Sequence, residues 1–296
     1  MSNKKKTKSS YPEIYPSRVA KTIIKRALKE DFGKRGDLTC RAIIDSNLSG
    51  TAVITAKEKG VISGQLVAEE VFNEVAKDTN YEILCPDGSY VKPGNVIARI
   101  KGKVWTILSA ERTALNILGR CSGISTLTRA YMDAIKDTEA VITDTRKTAP
   151  GLRYLDKAAV VVGGGVNHRY ALHDAFLIKE NHLMASDSIE DAIQSCQQFA
   201  AKHGRFKVMV EVENLSQFAE ATRAKPDRIL LDNMSITDIL YCVGQNDNNI
   251  ELEATGGITL ANVHDYAKTG VDTISTGSLT HSVRNLDLSL ILVDCG

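Results

Sequence analysis

The sequence predicts an α/β protein, with a small mixed domain first and an α/β barrel after it. Three observations carry this. From about residue 139 onward, six short apolar runs, each closing on or beside a polar residue, alternate with helical patterns, as parallel strands joined by right-handed crossovers do. That alternation alone fits an open doubly wound sheet equally well. The second observation favours the barrel: ionisable groups or glycine turns recur just after the runs, where a barrel collects its functional residues. The third is a change of texture upstream, where residues 51–106 read as short β-rich runs broken by turn residues and predict a separate α+β domain.

Taken in order, Ser17 opens a helical pattern with Val19, Ala20, Ile23, Ile24, Ala27 and Leu28 on one face, ending near Asp31-Phe32-Gly33. Residues 51–55 and 96–100 predict strands, and the triplets at 86–88 and 92–94 predict turns. Residues 105–136 return to helical spacing through Leu115, Leu118, Ile124, Leu127 and Tyr131, with a break expected at Ser122-Gly123. The six strand runs are residues 140–144, 175–179, 208–211, 228–232, 250–254 and 272–276. Between them, Ile189, Ala192, Ile193, Cys196 and Phe199 make the clearest helical face.

The 296 residues suffice for about two domains at roughly 100–200 residues each. A net charge of +1, from 37 basic and 36 acidic side chains, argues against a nucleic-acid binder or a membrane-surface protein. A hydrophobic share of 43% is that of an ordinary globular chain. The six cysteines are scattered, with no Cys-x-x-Cys pair, which suits a reducing cytoplasm. Residues 1–12 read as a disordered Lys-rich tail without the apolar stretch of a secretory signal, and no run is long enough to span a membrane.

The strand ends hold the chemistry. Thr145, Arg146 and Lys147 follow the first run, Lys179 closes the second, Glu211 the third and Asp232 the fourth. Thr255-Gly256-Gly257 and Thr276-Gly277-Ser278 follow the last two, where barrels bind phosphate through backbone N–H groups. Residues 144–169 are the densest cluster, ending in Asn167-His168-Arg169. Arginines fork onto carboxylates or phosphates and lysines add point charges, so the implied ligand is polyanionic. Glu211 and Asp232, set after apolar residues, are candidates to hold a divalent cation, contact a sugar, or stabilise positive charge on a ribose carbon. Glu213 and Glu253 are supporting candidates. Neither a dinucleotide-binding glycine pattern nor a nucleophile elbow is present.

These segments, in order, resemble the quinolinate phosphoribosyltransferase family: Asp144-Thr-Arg-Lys-Thr148, Pro150-Gly-Leu-Arg153, Gly163-Gly-Gly-Val-Asn-His-Arg169, Ile178-Lys-Glu-Asn-His182, Glu211-Val-Glu-Asn-Leu215, Leu230-Leu-Asp-Asn-Met234 and Gly256-Gly-Ile258. Upstream, Glu30-Asp31 with Gly33, Gly36-Asp-Leu-Thr39, Glu111-Arg-Thr-Ala-Leu-Asn116 and Ser122-Gly-Ile124 extend the match from about residue 17 to the end. The resemblance implies an N-terminal α/β sandwich over 13–115, rejoined by 281–296, and an open α/β barrel over 116–280. It implies transfer of phosphoribosyl from phosphoribosyl pyrophosphate to quinolinate with loss of CO2, giving nicotinate mononucleotide in NAD biosynthesis, with Mg²⁺, in a homodimer. Arg146, Lys147, His168 and Arg169 would hold the two carboxylates, with Arg112 reaching in from the partner. Lys179, Glu211 and Asp232 would face phosphoribosyl pyrophosphate and its metal. Residues 255–257 and 276–278 would cradle its 5′-phosphate.

Departures from the family pattern are Asp156 for Glu, Ala158 for an aromatic, Val161-Val162 for basic or small residues, Glu180 for Asp, Thr255 for Ser, and Met209 for the first acid of a Glu-x-Glu-x-Glu strand. A related group associated with molybdenum transport operons shares the Thr-Arg-Lys and His-Arg motifs but not the Ile-Lys-x-Asn-His one, which is intact here. A nicotinate-specific transferase, a Schiff-base aldolase using Lys147 or Lys179, and a non-catalytic phosphoribosyl pyrophosphate sensor remain as other readings of the same strand ends.

Overall fold

A computed structural model describes residues 18–247 and 250–295; the Lys-rich tail and the expected helix-opening Ser17 lie outside the described residues. The first stretch of chain contains helices α1 (Arg18–Phe32) and α2 (Leu38–Ile43), strands β1 (Ser49–Ala56) and β2 (Gly60–Val61), helix α3 (Gln65–Val75), strands β3 (Asn80–Ile83), β4 (Tyr90–Val91) and β5 (Val96–Lys103), and the long helix α4 (Val104–Ala134). Then come β6 (Val141–Thr143), α5 (Arg153–Val162), β7 (Phe176–Ile178), α6 (Glu180–Leu183), α7 (Ile189–His203), β8 (Val208–Val212), α8 (Leu215–Ala224), β9 (Arg228–Asp232), α9 (Ile236–Gly244), β10 (Glu251–Thr255), α10 (Val263–Lys268), β11 (Thr273–Ser275), α11 (Ser278–His281) and β12 (Leu288–Cys295).

The chain divides into two compact units. One takes the described residues through Arg129, Thr148–Gly164 and those from Thr280 on; the other takes Ala130–Lys147 and Gly165–Leu279. Helix α5, read from sequence as part of the barrel, thus groups with the first unit, as do residues 116–129.

In the first unit an antiparallel sheet runs in the order β12-β1-β5-β3. The C-terminal strand supplies one edge, with Ile54 opposite Leu290. Ala20, Ile24 and Leu28 of α1 and Val67, Ala68, Val71 and Phe72 of α3 are buried, each set at helical spacing, as amphipathic packing requires. The break expected at Ser122-Gly123 is absent, because α4 is continuous. Gly123 instead lets another segment approach closely: a Cβ there would lie 2.2 Å from the Arg284 carbonyl oxygen. Ser122 turns its hydroxyl to the Ser63 amide, which donates to it at 3.0 Å. Both residues serve packing, and a helix tolerates glycine when a neighbour occupies the vacated space.

All six expected strands form one sheet in the second unit, ordered β6-β11-β10-β9-β8-β7, with every pair parallel. The first two strands in sequence, β6 and β7, are its two edges, as in a barrel left open between them. Strand alternation then sorts the side chains. Val210, Val212, Ile229, Leu231, Leu252, Ala254 and Ile274 are buried, while Glu211, Leu230, Asp232, Glu253, Thr255 and Ser275 share the other face, where the principal cavity opens.

Candidate active site

That cavity has a volume of about 560 Å³ and lies wholly within the second unit. Its wall begins with Thr145, Arg146 and Lys147 after β6 and continues through His168 and Arg169. Buried Asp144 shapes this corner by accepting the His168 backbone N–H at 2.9 Å. The Thr145 hydroxyl accepts the Lys147 N–H at 3.0 Å. Arg169 donates through Nη1 to the Ala175 carbonyl at 2.8 Å. The Nε atoms of Arg146 and Arg169 are both buried without a hydrogen-bond partner, which is uncommon in native structures. Burial, reinforced by the neighbouring Arg146, pulls the Arg169 pKa down. Two crowded guanidiniums with spare donors are a ready receptor for anionic oxygens.

Opposite stand the carboxylates. Glu211 is the penultimate residue of β8, Asp232 closes β9, and the Lys179 ammonium donates to Glu211 Oε1. Burial raises the Glu211 pKa; Lys179 opposes this, and Asp232 adds to it. Lys179 also caps α6, its backbone N–H donating to His182 Nδ1 at 3.0 Å and its carbonyl accepting the His182 N–H at 2.7 Å, so the Lys-Glu-Asn-His motif fixes the root of the lysine. A smaller cavity of about 340 Å³ shares Lys179, Glu211 and Asp232 and adds Glu180, Asn181, Glu213 and Gln217.

The turn after β10 completes the mouth. Gly256 has φ +86°, and a Cβ on it would fall 2.4 Å from Asn233 Oδ1 and 2.7 Å from Asp232 Oδ1, so only glycine fits. Asn233, itself at φ +54°, donates its N–H to the Thr255 carbonyl at 2.9 Å. This interlock brings Thr255, Gly256 and Gly257 to the cavity wall. Thr276, Gly277 and Ser278 do not line it. Thr276 Oγ1 donates to the Ile258 carbonyl at 3.3 Å and lies 2.9 Å from Ser278 Oγ, while Ser275, one residue earlier, provides the wall on β11. Arg112 is in α4 within the first unit.

Asn233, Ser275 and the apolar pair Leu177 and Leu230 line the cavity without having been named from sequence as site residues. Period-two spacing from Thr255 reaches Glu253, from Lys179 reaches Leu177, and from Asp232 reaches Leu230. Glu253 is fully buried. Met209, which departs from the family's acid, is buried and pairs in register with Arg228.

Residues 37–122 match the model of the N-terminal domain of quinolinate phosphoribosyl transferase, and residues 124–291 that of its C-terminal domain. The chain belongs to the quinolinate phosphoribosyltransferase family. A family member from Mycobacterium leprae, named nicotinate-nucleotide pyrophosphorylase (carboxylating), is 41% identical over 278 residues, covering 92% of this chain and 97% of its own. The decarboxylating quinolinate phosphoribosyltransferase 1b of Nicotiana tabacum is 39% identical over 295 residues, covering 94% of this chain and 84% of its own. Among solved structures, the nicotinate-nucleotide pyrophosphorylase of Francisella tularensis superposes with a TM-score of 0.89 at 36% identity, covering 95% of this chain and 99% of that one. The family's architecture, a sheet domain followed by an open α/β barrel, is the one described above.

Proposed function

We propose that this chain transfers the phosphoribosyl group of phosphoribosyl pyrophosphate to quinolinate and decarboxylates the adduct, yielding nicotinate mononucleotide, pyrophosphate and CO2 in NAD biosynthesis. Family membership supports the activity. The observation that carries the substrate reading is the pair of arginines, Arg146 and Arg169, lining one cavity, a match for two carboxylates on one ring. Lys147 adds a further positive charge on that side.

Quinolinate and phosphoribosyl pyrophosphate are both polyanions and repel each other. Cations at one wall and a glycine turn at another let the protein hold them together, converting an encounter into a positioned attack. The ring nitrogen attacks C1′ as the C1′–O bond to pyrophosphate breaks, and the pair of electrons leaves with pyrophosphate. Glu211 and Asp232 face the positive charge that develops on the ribose and lower its cost. Thr255, Gly256 and Gly257 hold the 5′-phosphate, with the neighbouring turn at 276–278 as a supporting segment. The C2 carboxylate then leaves as CO2, its bonding pair drawn toward the pyridinium, and a proton replaces it at C2.

Mg²⁺ fits the donor set. Glu211, penultimate in β8, and Asp232, last in the adjacent β9, face the same cavity, and Asp232 acts on the Glu211 carboxylate electrostatically. No group of three potential ligands occurs among the described residues. Two carboxylates suit Mg²⁺, which fills its remaining positions with water and substrate phosphate oxygens. Bound there, the ion would neutralise the pyrophosphate leaving group. We further infer a homodimer, with Arg112 serving the site of the partner, and a cytoplasmic location, which the scattered spacing of the cysteines in the sequence favours. No described helix is long and apolar enough to cross a membrane. Plant relatives are named as chloroplastic or mitochondrial proteins, so fractionation of the native cell checks the location.

The decisive experiment incubates the protein with Mg²⁺, phosphoribosyl pyrophosphate and either quinolinate or nicotinate, and measures nucleotide and CO2. Quinolinate should give both in equal amounts. Turnover of nicotinate alone would overturn the substrate assignment.

A further inference from the structure

Beneath the cavity's cations, β9 and β10 hold a charged group that the reaction described above does not use. Arg228 forks between two carboxylates, with Nη1 donating to Glu253 Oε2 at 2.5 Å and Nη2 to Glu251 Oε1 at 2.5 Å. Glu253 Oε2 also lies 3.6 Å from His168 Nε2 and accepts from Thr273 Oγ1 at 3.5 Å. On the other side of the imidazole, Nδ1 accepts the backbone N–H of Arg169 at 2.8 Å. His168 and Glu253 are both buried, and both border the cavity.

A neutral imidazole has one N–H and one bare nitrogen. With Nδ1 accepting, the proton is on Nε2, which faces Glu253. A carboxylate beside one ring nitrogen of a histidine biases the proton toward that nitrogen and so affects what the other can do; here the carboxylate stands at ion-pair distance, 3.6 Å, without a hydrogen bond. We propose that Glu253 is a positioning residue for the dicarboxylate site: its carboxylate, 3.6 Å from His168 Nε2, attracts the Nε2 proton electrostatically, keeps Nδ1 as the acceptor that anchors the Arg169 main chain, and so sets where the Arg169 guanidinium stands. Glu253 acts through His168 and Arg169 without touching quinolinate. Arg228, shared with Glu251, opposes the upward pull that burial exerts on the pKa of this carboxylate. The inference rests on the reading that Arg169 receives a quinolinate carboxylate. It changes the role of His168 from a direct ligand of that group to the link between Glu253 and Arg169.

The test uses the intact protein labelled with ¹⁵N in its histidine rings, with the His168 signals identified by their loss in His168→Gln. In the unmodified protein His168 should carry its proton on Nε2. Glu253→Gln keeps the shape but removes the charge, and should give a mixture of tautomers and raise KM for quinolinate roughly tenfold, as loss of a supporting partner does at comparable sites. Its kcat and KM for phosphoribosyl pyrophosphate should change little. Glu253→Asp, which keeps the charge for Arg228, should give an intermediate KM and serves if the glutamine variant does not fold. A proton on Nδ1 in the unmodified protein, or variants with unchanged tautomer and unchanged KM for quinolinate, would overturn the proposal. A purely structural Glu253 would lower the melting temperature without separating the two KM values. If the protein shows the tautomer shift yet does not turn over quinolinate, the substrate reading fails and the positioning geometry stands.

Discussion

Glu211 sits at the junction of opposing influences, and its titration is the most direct readout of the site. Burial raises its pKa while Lys179 lowers it, and the net shift is upward. A carboxyl with a raised pKa takes up its proton at a higher pH than an ordinary one as the solution is acidified. The acid limb of kcat/KM for phosphoribosyl pyrophosphate is therefore expected above the usual carboxylate range, and a pH–rate profile checks it; a limb at or below that range would remove Glu211 from the reacting site. The same shift means that the carboxyl favours folding below its unfolded pKa, and this contribution is lost as pH rises through the folded value. On the opposite wall, Arg146→Gln should lower kcat/KM for quinolinate by roughly 10- to 100-fold, about 1.5–3 kcal/mol, as expected when one charged hydrogen bond is lost. Steady-state kinetics with each substrate varied in turn would show it, with KM for phosphoribosyl pyrophosphate little changed. Residues such as these were legible because they stand at strand ends, where composition changes abruptly from apolar to charged. Glu253 was harder to place: it sits inside a strand, and only the alternation of faces brings it into the cavity. At the end of β11, Ser275 replaces the expected Thr276-Gly277-Ser278 at the wall for the same reason, since Thr276 falls one residue past the inward position and bonds to Ile258.

Elements were easier to read than their interruptions. The six strand runs produced six strands because each is bounded by turn residues and polar ends that a parallel strand needs. The Ser122-Gly123 pair misled for a physical reason: a glycine that ends a helix and one that admits a neighbour look alike in sequence. Structure separates them through what a side chain would meet. Gly123→Ala gains up to about 1 kcal/mol of helix propensity, but the new methyl must enter a space already held by the Arg284 carbonyl at 2.2 Å. The clash outweighs the gain, and the variant should lose about 1–3 kcal/mol of stability. Gly244→Ala is the control. It ends α9 with nothing within 4 Å of its added Cβ, and should be neutral or gain about 0.4–1 kcal/mol. Calorimetric melting of the two variants side by side decides the point, and equal effects would refute this account of α4.

At the scale of the whole molecule, chain continuity and unit membership do not coincide. The first unit collects three separate stretches of sequence and the second two, so no single cut in the chain separates them; the sequence reading returns 281–296 to the first domain but keeps 116–280 together. The assembly proposed above has its own test. Arg112→Ala and Lys147→Ala should each be inactive alone, yet an equal mixture refolded together should recover about one quarter of the sites if Arg112 serves the partner, because half of the dimers then pair one of each and restore one site. No recovery would place both residues in the same subunit's chemistry. A last consequence concerns how the enzyme lets go. On the site proposed above, Arg146 and Arg169, which line one cavity, each receive a carboxylate of the ring, and the reaction destroys one of those carboxylates. On that reading product leaves one guanidinium without its anionic partner, a penalty of about 1–3 kcal/mol that falls on nicotinate mononucleotide and not on quinolinate. Decarboxylation would then erase the feature by which the substrate is recognised, and the same two arginines that secure capture would ease release.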